Sequence, residues 1–193
     1  MARKQQIART LGMLLIAIIV GSVLAVAISR NTPGRSSGAG LPAHFLVNQP
    51  APDFTLPLLD GGEVKLSSLR GKVVVLDFWA TYCPLCVQTM PSTQAIARKF
   101  ADRGVLIYAV NLGESPARVR EFFAEQKTAT PVPVVAMDEQ TEVGYRYGVQ
   151  YLPQLFVIDA RGIIHAADTS DPADMESRLE QSIESALKAG QAS

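Results

Sequence analysis

The chain has 193 residues, of which 48% are hydrophobic, and its 18 basic and 18 acidic side chains give no net charge. This length and composition fit one domain with a packed core plus a tail, and they exclude a disordered chain. Every charged residue before Asp53 is basic, so the chain after Arg35 has a net charge of −5 and lacks the basic surface that binds nucleic acid.

The N-terminal residues have the pattern of a membrane signal. Residues 1–10 are basic and are predicted to be cytoplasmic, and the 18 residues of Leu11–Ile28 carry no charge. As a helix they would span about 27 Å, close to the hydrocarbon thickness of a bilayer. Ala25-Val26-Ala27 resembles a signal-peptide cleavage site, but the apolar stretch exceeds the roughly 7–15 residues usual for such peptides. We therefore predict a single-pass anchor and an extracytoplasmic domain.

Residues 29–45 are predicted to be a flexible linker, because Ser29–Pro42 is rich in Gly, Ser and Pro and has no apolar periodicity. Residues 46–190 are predicted to form one α/β domain. An N-terminal β-hairpin, Phe54–Leu58 with Val64–Leu66, is expected around the Asp60-Gly61-Gly62 turn.

Apolar strands and amphipathic helices alternate after the hairpin. This order predicts a central mixed β-sheet flanked by helices. The predicted elements are strand Val73–Phe78, helix Cys86–Phe100, strand Val105–Val110, helix Pro116–Lys127, a short segment Val132–Val135, helix Glu139–Tyr147, the hairpin strands Leu155–Ile158 and Ile163–Ala167, and helix Asp171–Ala189.

The only two cysteines, Cys83 and Cys86, lie between the first buried strand and the helix that follows it. Free N–H groups and the helix dipole lower the pKa of a thiol at a helix N-terminus from about 8.5. Cys83 can therefore attack a disulfide as a thiolate, and Cys86, one turn further, can resolve the mixed disulfide. Pro84 fits the first helical turn, where no N–H donor is needed.

A metal site and a purely structural disulfide fit the cysteine pair less well. A zinc site needs four ligands, and His44 and His165 show no ligand spacing, so no metal is expected. A structural disulfide across so short a loop removes little chain entropy. In an oxidising compartment the pair is predicted to be a redox-active disulfide that needs no further cofactor.

Asp77 is an acid within an otherwise apolar strand, six residues before Cys83. Burial of a carboxylate is unfavourable unless it has a partner or a function. We predict that Asp77 lies beneath Cys86 and takes up the proton that Cys86 must lose. The alternatives are that its side chain faces solvent at the strand end or pairs with Lys72.

Several motifs together resemble the membrane-anchored TlpA/ResA-like thiol:disulfide oxidoreductases, which belong to the redoxin (AhpC/TSA-like) superfamily with a thioredoxin-like fold. FWATYCPLC (78–86) resembles their WAxWC-x-x-C active site. APDFTL (51–56) with LSSLRGKVVVLDFWA (66–80) resembles the redoxin opening, and YGVQYLPQLFVID (147–159) resembles Y-G-V-x-x-x-P-T-x-F-x-I-D. The resemblance covers residues 50–187 and implies this fold, with the hairpin as an N-terminal extension.

The resemblance also implies roles for individual residues. Cys83 matches the nucleophile and Cys86 the resolving cysteine. Asp77 matches the buried acid of thioredoxin itself, where many members of the TlpA/ResA-like branch have asparagine. Pro153 matches the cis-proline that faces the disulfide, and Pro91 the proline that kinks the active-site helix. The predicted substrate-binding residues are Trp79, Tyr82, Pro84, Leu152 and Pro153. Trp79 matches the tryptophan that packs near the site, and a role as a core aromatic is compatible with that match.

Four positions depart from the family pattern. Tyr82 replaces a tryptophan, and Leu85 replaces a proline or histidine. Thr89 replaces a glutamate, and Gln154 replaces a threonine. Because cytochrome-maturation members carry the glutamate, we expect a general disulfide reductase. Its predicted partners are oxidised extracytoplasmic proteins and a membrane thiol that donates electrons.

Three other functions remain open from the sequence. An oxidase would use the same site in the opposite direction, which depends on the relative stability of thiolate and disulfide. A thiol peroxidase would be expected to place a proline before Cys83 in a P-x-x-x-T-x-x-C pattern, which this chain lacks. A copper chaperone would need a methionine or histidine near the thiols, and the nearest is Met90.

Overall fold

A computed structural model describes residues 44–126, 133–169 and 173–191. Within these ranges, none of the helices combines the length and apolar character needed to cross a bilayer. The predicted cytoplasmic residues 1–10, the span 11–28 and nearly all of the linker 29–45 lie outside the described residues.

The described part of the chain forms seven strands and four α-helices, with 3₁₀ turns at Leu66–Leu69 and Ala101–Arg103. In chain order the elements are β1 (Thr55–Pro57), β2 (Glu63–Lys65), β3 (Val73–Trp79), α1 (Pro84–Phe100), β4 (Val105–Leu112), α2 (Pro116–Glu125), β5 (Val134–Asp138), α3 (Glu142–Arg146), β6 (Gln154–Ile158), β7 (Ile164–Thr169) and α4 (Met175–Gln191).

Five strands form one mixed sheet in the order β5-β4-β3-β6-β7. Strand β4 runs parallel to both β3 and β5, whereas β6 runs antiparallel to both β3 and β7. The predicted mixed α/β sheet and its C-terminal antiparallel hairpin are confirmed. The central strand β3 is buried along its whole length, which explains its β-branched apolar sequence.

The predicted N-terminal hairpin is present as the antiparallel pair β1 and β2. Gly61 and Gly62 both have positive φ, at 102° and 80°, a conformation that residues with a Cβ rarely adopt. Leu58, just after β1, forms a bridge with Ala136 of β5, so the hairpin extends from the edge of the main sheet.

Two helices differ from their predicted bounds for local reasons. Helix α1 begins at Pro84 rather than Cys86, because Cys83 caps the helix and proline occupies its first turn. Helix α3 is shorter than the predicted Glu139–Tyr147, because Thr141 has a left-handed conformation (φ 58°) that a right-handed helix cannot continue through.

The remaining differences concern where elements start and stop. They include the end of α2 at Glu125 rather than Lys127, β5 at Val134–Asp138 rather than Val132–Val135, β7 at Ile164–Thr169 rather than Ile163–Ala167, and α4 at Met175–Gln191 rather than Asp171–Ala189. Lys127, Val132, Asp171 and Pro172 lie outside the described residues.

Side chains on the two faces of β3 belong to different hydrophobic cores. Val74, Leu76 and Phe78 pack in the core that contains Tyr147 and Phe156. Val73 and Val75 face the other side, where they pack with residues of α1 and α4. Because side chains alternate along a strand, Asp77 and Trp79 share this second face and lie under the helix that carries the cysteines.

Candidate active site

The two cysteines form a disulfide across the first turn of α1, with 5.3 Å between their Cα atoms. Cys83 is the N-cap residue of the helix, with extended backbone angles (φ −92°, ψ 102°). Its sulfur accepts a hydrogen bond from the backbone N–H of Cys86 at 3.1 Å. The sulfur of Cys83 therefore occupies the position that a capping oxygen takes at most helix N-termini.

The segment before β6 packs against the cluster that contains the cysteine pair. Phe78 pairs with Gln154, so the residues before Gln154 lie beside the end of β3 that leads to the cysteines. Half-buried Leu152 packs against the cluster that contains Cys83 and Cys86. The Leu152–Pro153 peptide bond is cis, as the resemblance implied.

Asp77 is 7% exposed and lies on the face of β3 that α1 covers. The hydroxyl of Thr93 on α1 donates to its Oδ2 at 3.1 Å, whereas its buried Oδ1 has no protein partner. The expectation that Asp77 is buried is confirmed, and the alternatives of an exposed side chain or a Lys72 pair are wrong. Burial raises the pKa of Asp77 to about 7, and the Thr93 hydrogen bond opposes part of that rise.

A small cavity of about 10 Å³ connects the acid with the resolving cysteine. Its α1 lining consists of Cys86, Met90, Thr93 and Gln94, which follow the i, i+4, i+7 and i+8 spacing of one helix face. The strand residues Asp77, Trp79, Ala109 and Val135 line it as well, with Phe123 and Pro133. The geometry therefore brings Asp77 and Cys86 to one cavity, as the sequence predicted.

Trp79 is only 2% exposed, as expected for a tryptophan that packs near the site. Its ring packs against Phe122 and Phe123 of α2, with ring centroids 5.7 and 5.6 Å away. It belongs to the same cluster as both cysteines. We assign Trp79 to the packing beneath the disulfide.

Glu114 is a residue of the site that the sequence reasoning missed. Its carboxylate accepts hydrogen bonds from the backbone N–H of Thr81 at 2.7 Å and from the Thr81 hydroxyl at 2.5 Å. Asn111, a buried residue of β4, donates to the same carboxylate at 2.8 Å. Glu114 therefore holds the loop between β3 and the cysteines. The sequence signal for Glu114 was an acidic residue shortly after a buried parallel strand. Functional residues commonly lie at the carboxyl ends of such strands.

The surface around the disulfide is apolar and aromatic. Tyr82 and Tyr151 are 71% and 73% exposed, and Pro84 and Leu85 are also exposed. Residues 80–97, which contain the disulfide, and residues 147–157, which contain Leu152 and Pro153, include no charged residue. Tyr151 was not among the predicted residues, although it directly precedes Leu152. Exposed apolar side chains of this kind commonly mark a surface that binds another protein.

The other positions singled out from the sequence lie in different settings. Pro91 lies inside α1, and Thr89 is buried with its hydroxyl bonded to the carbonyls of Leu85 and Cys86. Gln154 donates to the Asp168 carbonyl.

Neither histidine lies among metal-ligating residues in the part of the chain that the structure describes, where no group of three His, Cys, Asp or Glu side chains could hold an ion. His165 of β7 forms a hydrogen bond with Ser185 of α4, and His44 stacks on Phe45.

The fold and a Cys-x-x-Cys disulfide at a helix N-terminus define a protein of the thioredoxin-like class, and residues 47–167 match the AhpC/TSA family. The chain belongs to this family. It is 40% identical to thiol-disulfide oxidoreductase ResA of Geobacillus thermodenitrificans over 136 residues, which is 69% of this chain and 76% of that protein. It is 31% identical to thioredoxin-like protein YneN of Bacillus subtilis over 137 residues, 68% of this chain and 78% of that one.

Solved structures agree with this assignment. A Chlorobium tepidum protein assigned as thiol:disulfide interchange protein DsbE is 36% identical, with a TM-score of 0.65 over 77% of this chain and 99% of that one. A second thiol:disulfide interchange protein from Chlorobium tepidum is 26% identical, with a TM-score of 0.59 over 77% and 99% of the two chains. The chain is a thiol-disulfide oxidoreductase of the thioredoxin fold.

Proposed function

We propose that this oxidoreductase is anchored in the membrane by residues 11–28 and reduces disulfides in extracytoplasmic proteins. Cys83 is the nucleophile, Cys86 the resolving cysteine and Asp77 the acid that exchanges a proton with Cys86. The electrons come from a membrane thiol partner, because an exported domain has no direct access to cytoplasmic reductant.

The position of Cys83 as the helix cap is the observation that carries this proposal. In the reduced protein, the N–H of Cys86 and the positive end of the α1 dipole would stabilise a thiolate at the Cys83 sulfur. Cys86 lies one turn further along the helix and is 3% exposed against 7% for Cys83, so Cys83 is the more accessible of the two sulfurs.

The reaction transfers two electrons from the enzyme dithiol to the substrate. The Cys83 thiolate attacks one sulfur of the substrate disulfide, which breaks that bond, forms a mixed disulfide and releases the first substrate thiolate. Cys86 then loses its proton to ionised Asp77 and attacks the Cys83 sulfur, which releases the second substrate thiolate. Asp77 releases its proton to solvent, from which the second substrate thiolate is protonated. The first substrate thiolate takes up the proton that Cys83 had given to solvent. The enzyme is left with the Cys83–Cys86 disulfide.

The test uses two matched single-cysteine variants, Cys86→Ser and Cys83→Ser, with insulin as the disulfide substrate. Reduced Cys86→Ser is expected to accumulate a mixed disulfide through Cys83, detected as an adduct by mass spectrometry under non-reducing conditions. Reduced Cys83→Ser is expected to accumulate little adduct, because Cys86 is buried. Equal trapping by both variants, or trapping through Cys86 alone, would contradict the assigned roles.

The membrane part of the proposal is tested by the location and mass of the full-length chain in a bacterial host. An anchored protein stays in the membrane pellet after alkaline extraction and keeps its N-terminal residues. Protease added outside spheroplasts then digests its domain. A shortened mature chain that begins after residue 27 would show a cleaved signal peptide, and a protease-resistant domain would contradict export.

A further inference from the structure

Thr93 and Thr89 lie one turn apart on α1, are both buried, and use their hydroxyl groups differently. Thr89 donates to the helix carbonyls of Leu85 and Cys86, the usual local acceptors for a threonine within a helix. Thr93 instead donates across the core to Oδ2 of Asp77 at 3.1 Å. Of the two threonines, only Thr93 is bonded to the acid.

The Thr93 bond occupies one oxygen of the carboxyl and leaves the other without a protein partner. Asp77 lines the cavity that Cys86 also lines, and a cavity of about 10 Å³ is just large enough for about one water. Trp79, another lining residue, has a buried indole N–H without a protein partner. The cavity between Asp77 and Cys86 is therefore lined by a residue with a free hydrogen-bond donor, Trp79, and by one with a free acceptor, Asp77.

We propose that Thr93 is a positioning residue for proton transfer: by donating to Oδ2, it leaves Oδ1 of Asp77 as the oxygen that takes the Cys86 proton through the cavity. When Asp77 is ionised, the Thr93 hydroxyl stabilises the carboxylate. When the proton arrives, it is held on Oδ1, because the Thr93 donor already occupies Oδ2. Gln94 lines the same cavity and is half-buried.

This inference rests on the proposed role of Asp77, and it predicts an effect of Thr93 that a packing role would not produce. A hydrogen bond to the ionised form favours that form, so its removal raises the pKa of the acid. Thr93→Val keeps the shape of the side chain and removes the donor, whereas Thr93→Ser keeps the donor. We expect the pKa of Asp77 to rise by about one unit in Thr93→Val and to stay near the native value in Thr93→Ser.

The first measurement is the titration of the Asp77 carboxyl in the oxidised full-length chain, purified in detergent and labelled with ¹³C at aspartate. Thr89→Val is the matched control, because it removes a buried hydroxyl of the same helix that bonds only to helix carbonyls. The titration midpoint is expected to move in Thr93→Val and to stay unchanged in Thr89→Val and Thr93→Ser. An unchanged midpoint in Thr93→Val would overturn the inference.

The second measurement is the pH profile of the resolving step, followed by single-turnover fluorescence of Trp79, the one tryptophan of the chain. Thr93→Val is expected to shift the profile upward with the pKa of Asp77, so that the step slows about tenfold at pH values well below the native midpoint. In an Asp77→Asn background, Thr93→Val should have no further effect.

The two proposals fail in different ways. If Asp77→Asn leaves the pH profile of the resolving step unchanged, the proton role of Asp77 is wrong. If Asp77→Asn changes the profile and Thr93→Val does not, the role of Asp77 stands and the positioning role of Thr93 is wrong. An equal slowing by Thr93→Val and Thr93→Ser, without a shift in pH, would indicate packing alone.

Discussion

The Cys83 sulfur accepts a hydrogen bond from the backbone N–H of Cys86 at 3.1 Å, so one cysteine of the pair caps the helix that carries the other. This contact joins the fold to the chemistry, because the groups that end the helix are also those that stabilise a thiolate.

The first prediction concerns the order in which the reduced thiols ionise. In Cys86→Ser, the Cys83 thiol is expected to react with iodoacetamide with a midpoint below about pH 8.5, because the helix N-terminus favours its thiolate. In Cys83→Ser, Cys86 should react only at higher pH, because it is buried beside the Asp77 carboxylate. Rates of alkylation across pH measure both midpoints, and a Cys83 midpoint at or above that of Cys86 would contradict the nucleophile assignment.

The second prediction concerns stability and follows from the pKa of Asp77, which is about 7 in the folded protein against 3.8 as its ordinary value. Between these values the unfolded chain has lost a proton that the folded chain still holds. The contribution of Asp77 to the free energy of unfolding should therefore fall as pH rises from about 4 to 7, and level off on either side.

Asp77→Asn removes this dependence, so its stability relative to the native chain should grow by about 2–4 kcal/mol across that window. Urea unfolding of both oxidised proteins at a series of pH values measures the difference. A pH-independent effect of the asparagine side chain would change the difference in free energy of unfolding by the same amount at every pH. The prediction is therefore tested by how that difference changes with pH. Parallel stability curves for the two proteins would show that Asp77 is not the titrating group.

The third prediction concerns the loop before the cysteines. Glu114→Ala leaves the N–H and hydroxyl of Thr81 and the amide of Asn111 without their shared acceptor, and is expected to destabilise the oxidised protein by about 1–3 kcal/mol. Glu121→Ala is the control, because Glu121 forms only an exposed ion pair with Arg118 on α2. Its effect should stay within about 0.5 kcal/mol. Equal effects of the two substitutions in thermal or urea unfolding would rule out the anchoring role of Glu114.

The fourth prediction concerns the aromatic surface around the disulfide. Tyr82→Ser and Tyr151→Ser should each raise the KM for insulin reduction several-fold with little change in kcat, because both side chains are exposed beside the site. Tyr145→Ser is the matched control: Tyr145 is 86% exposed but lies on α3. Because residues 80–97 and 147–157 carry no charge, the KM for insulin should also depend only weakly on salt concentration. A KM that rises equally in Tyr145→Ser would argue against a specific docking surface.

Much of the fold was predictable because its signals are local. The apolar run at β3 and the Gly61-Gly62 turn each specify an element without distant information. Helix α3 was predicted too long because the left-handed conformation of Thr141 is set by its surroundings rather than by its own preference.

Site residues were predictable from the sequence where a residue type is unusual for its place in the predicted fold. An acid in an apolar strand indicated Asp77, and two cysteines at a strand-to-helix junction indicated the redox pair. Thr93 had no such signal, because threonine is ordinary in a helix and its partner lies 16 residues away on another element. The packing partners of Trp79 had no such signal either, because the motif does not reveal which face of β3 it occupies.

The reduction potential of the Cys83–Cys86 pair tests the central claim most directly. The full-length protein in detergent is equilibrated with glutathione or dithiothreitol buffers, and the fraction of dithiol is read from alkylation by mass. A reductase supplied by a membrane thiol should have a potential near or below about −220 mV. A potential near about −120 mV, with a strongly acidic Cys83, would mean an oxidase and would contradict the proposed direction.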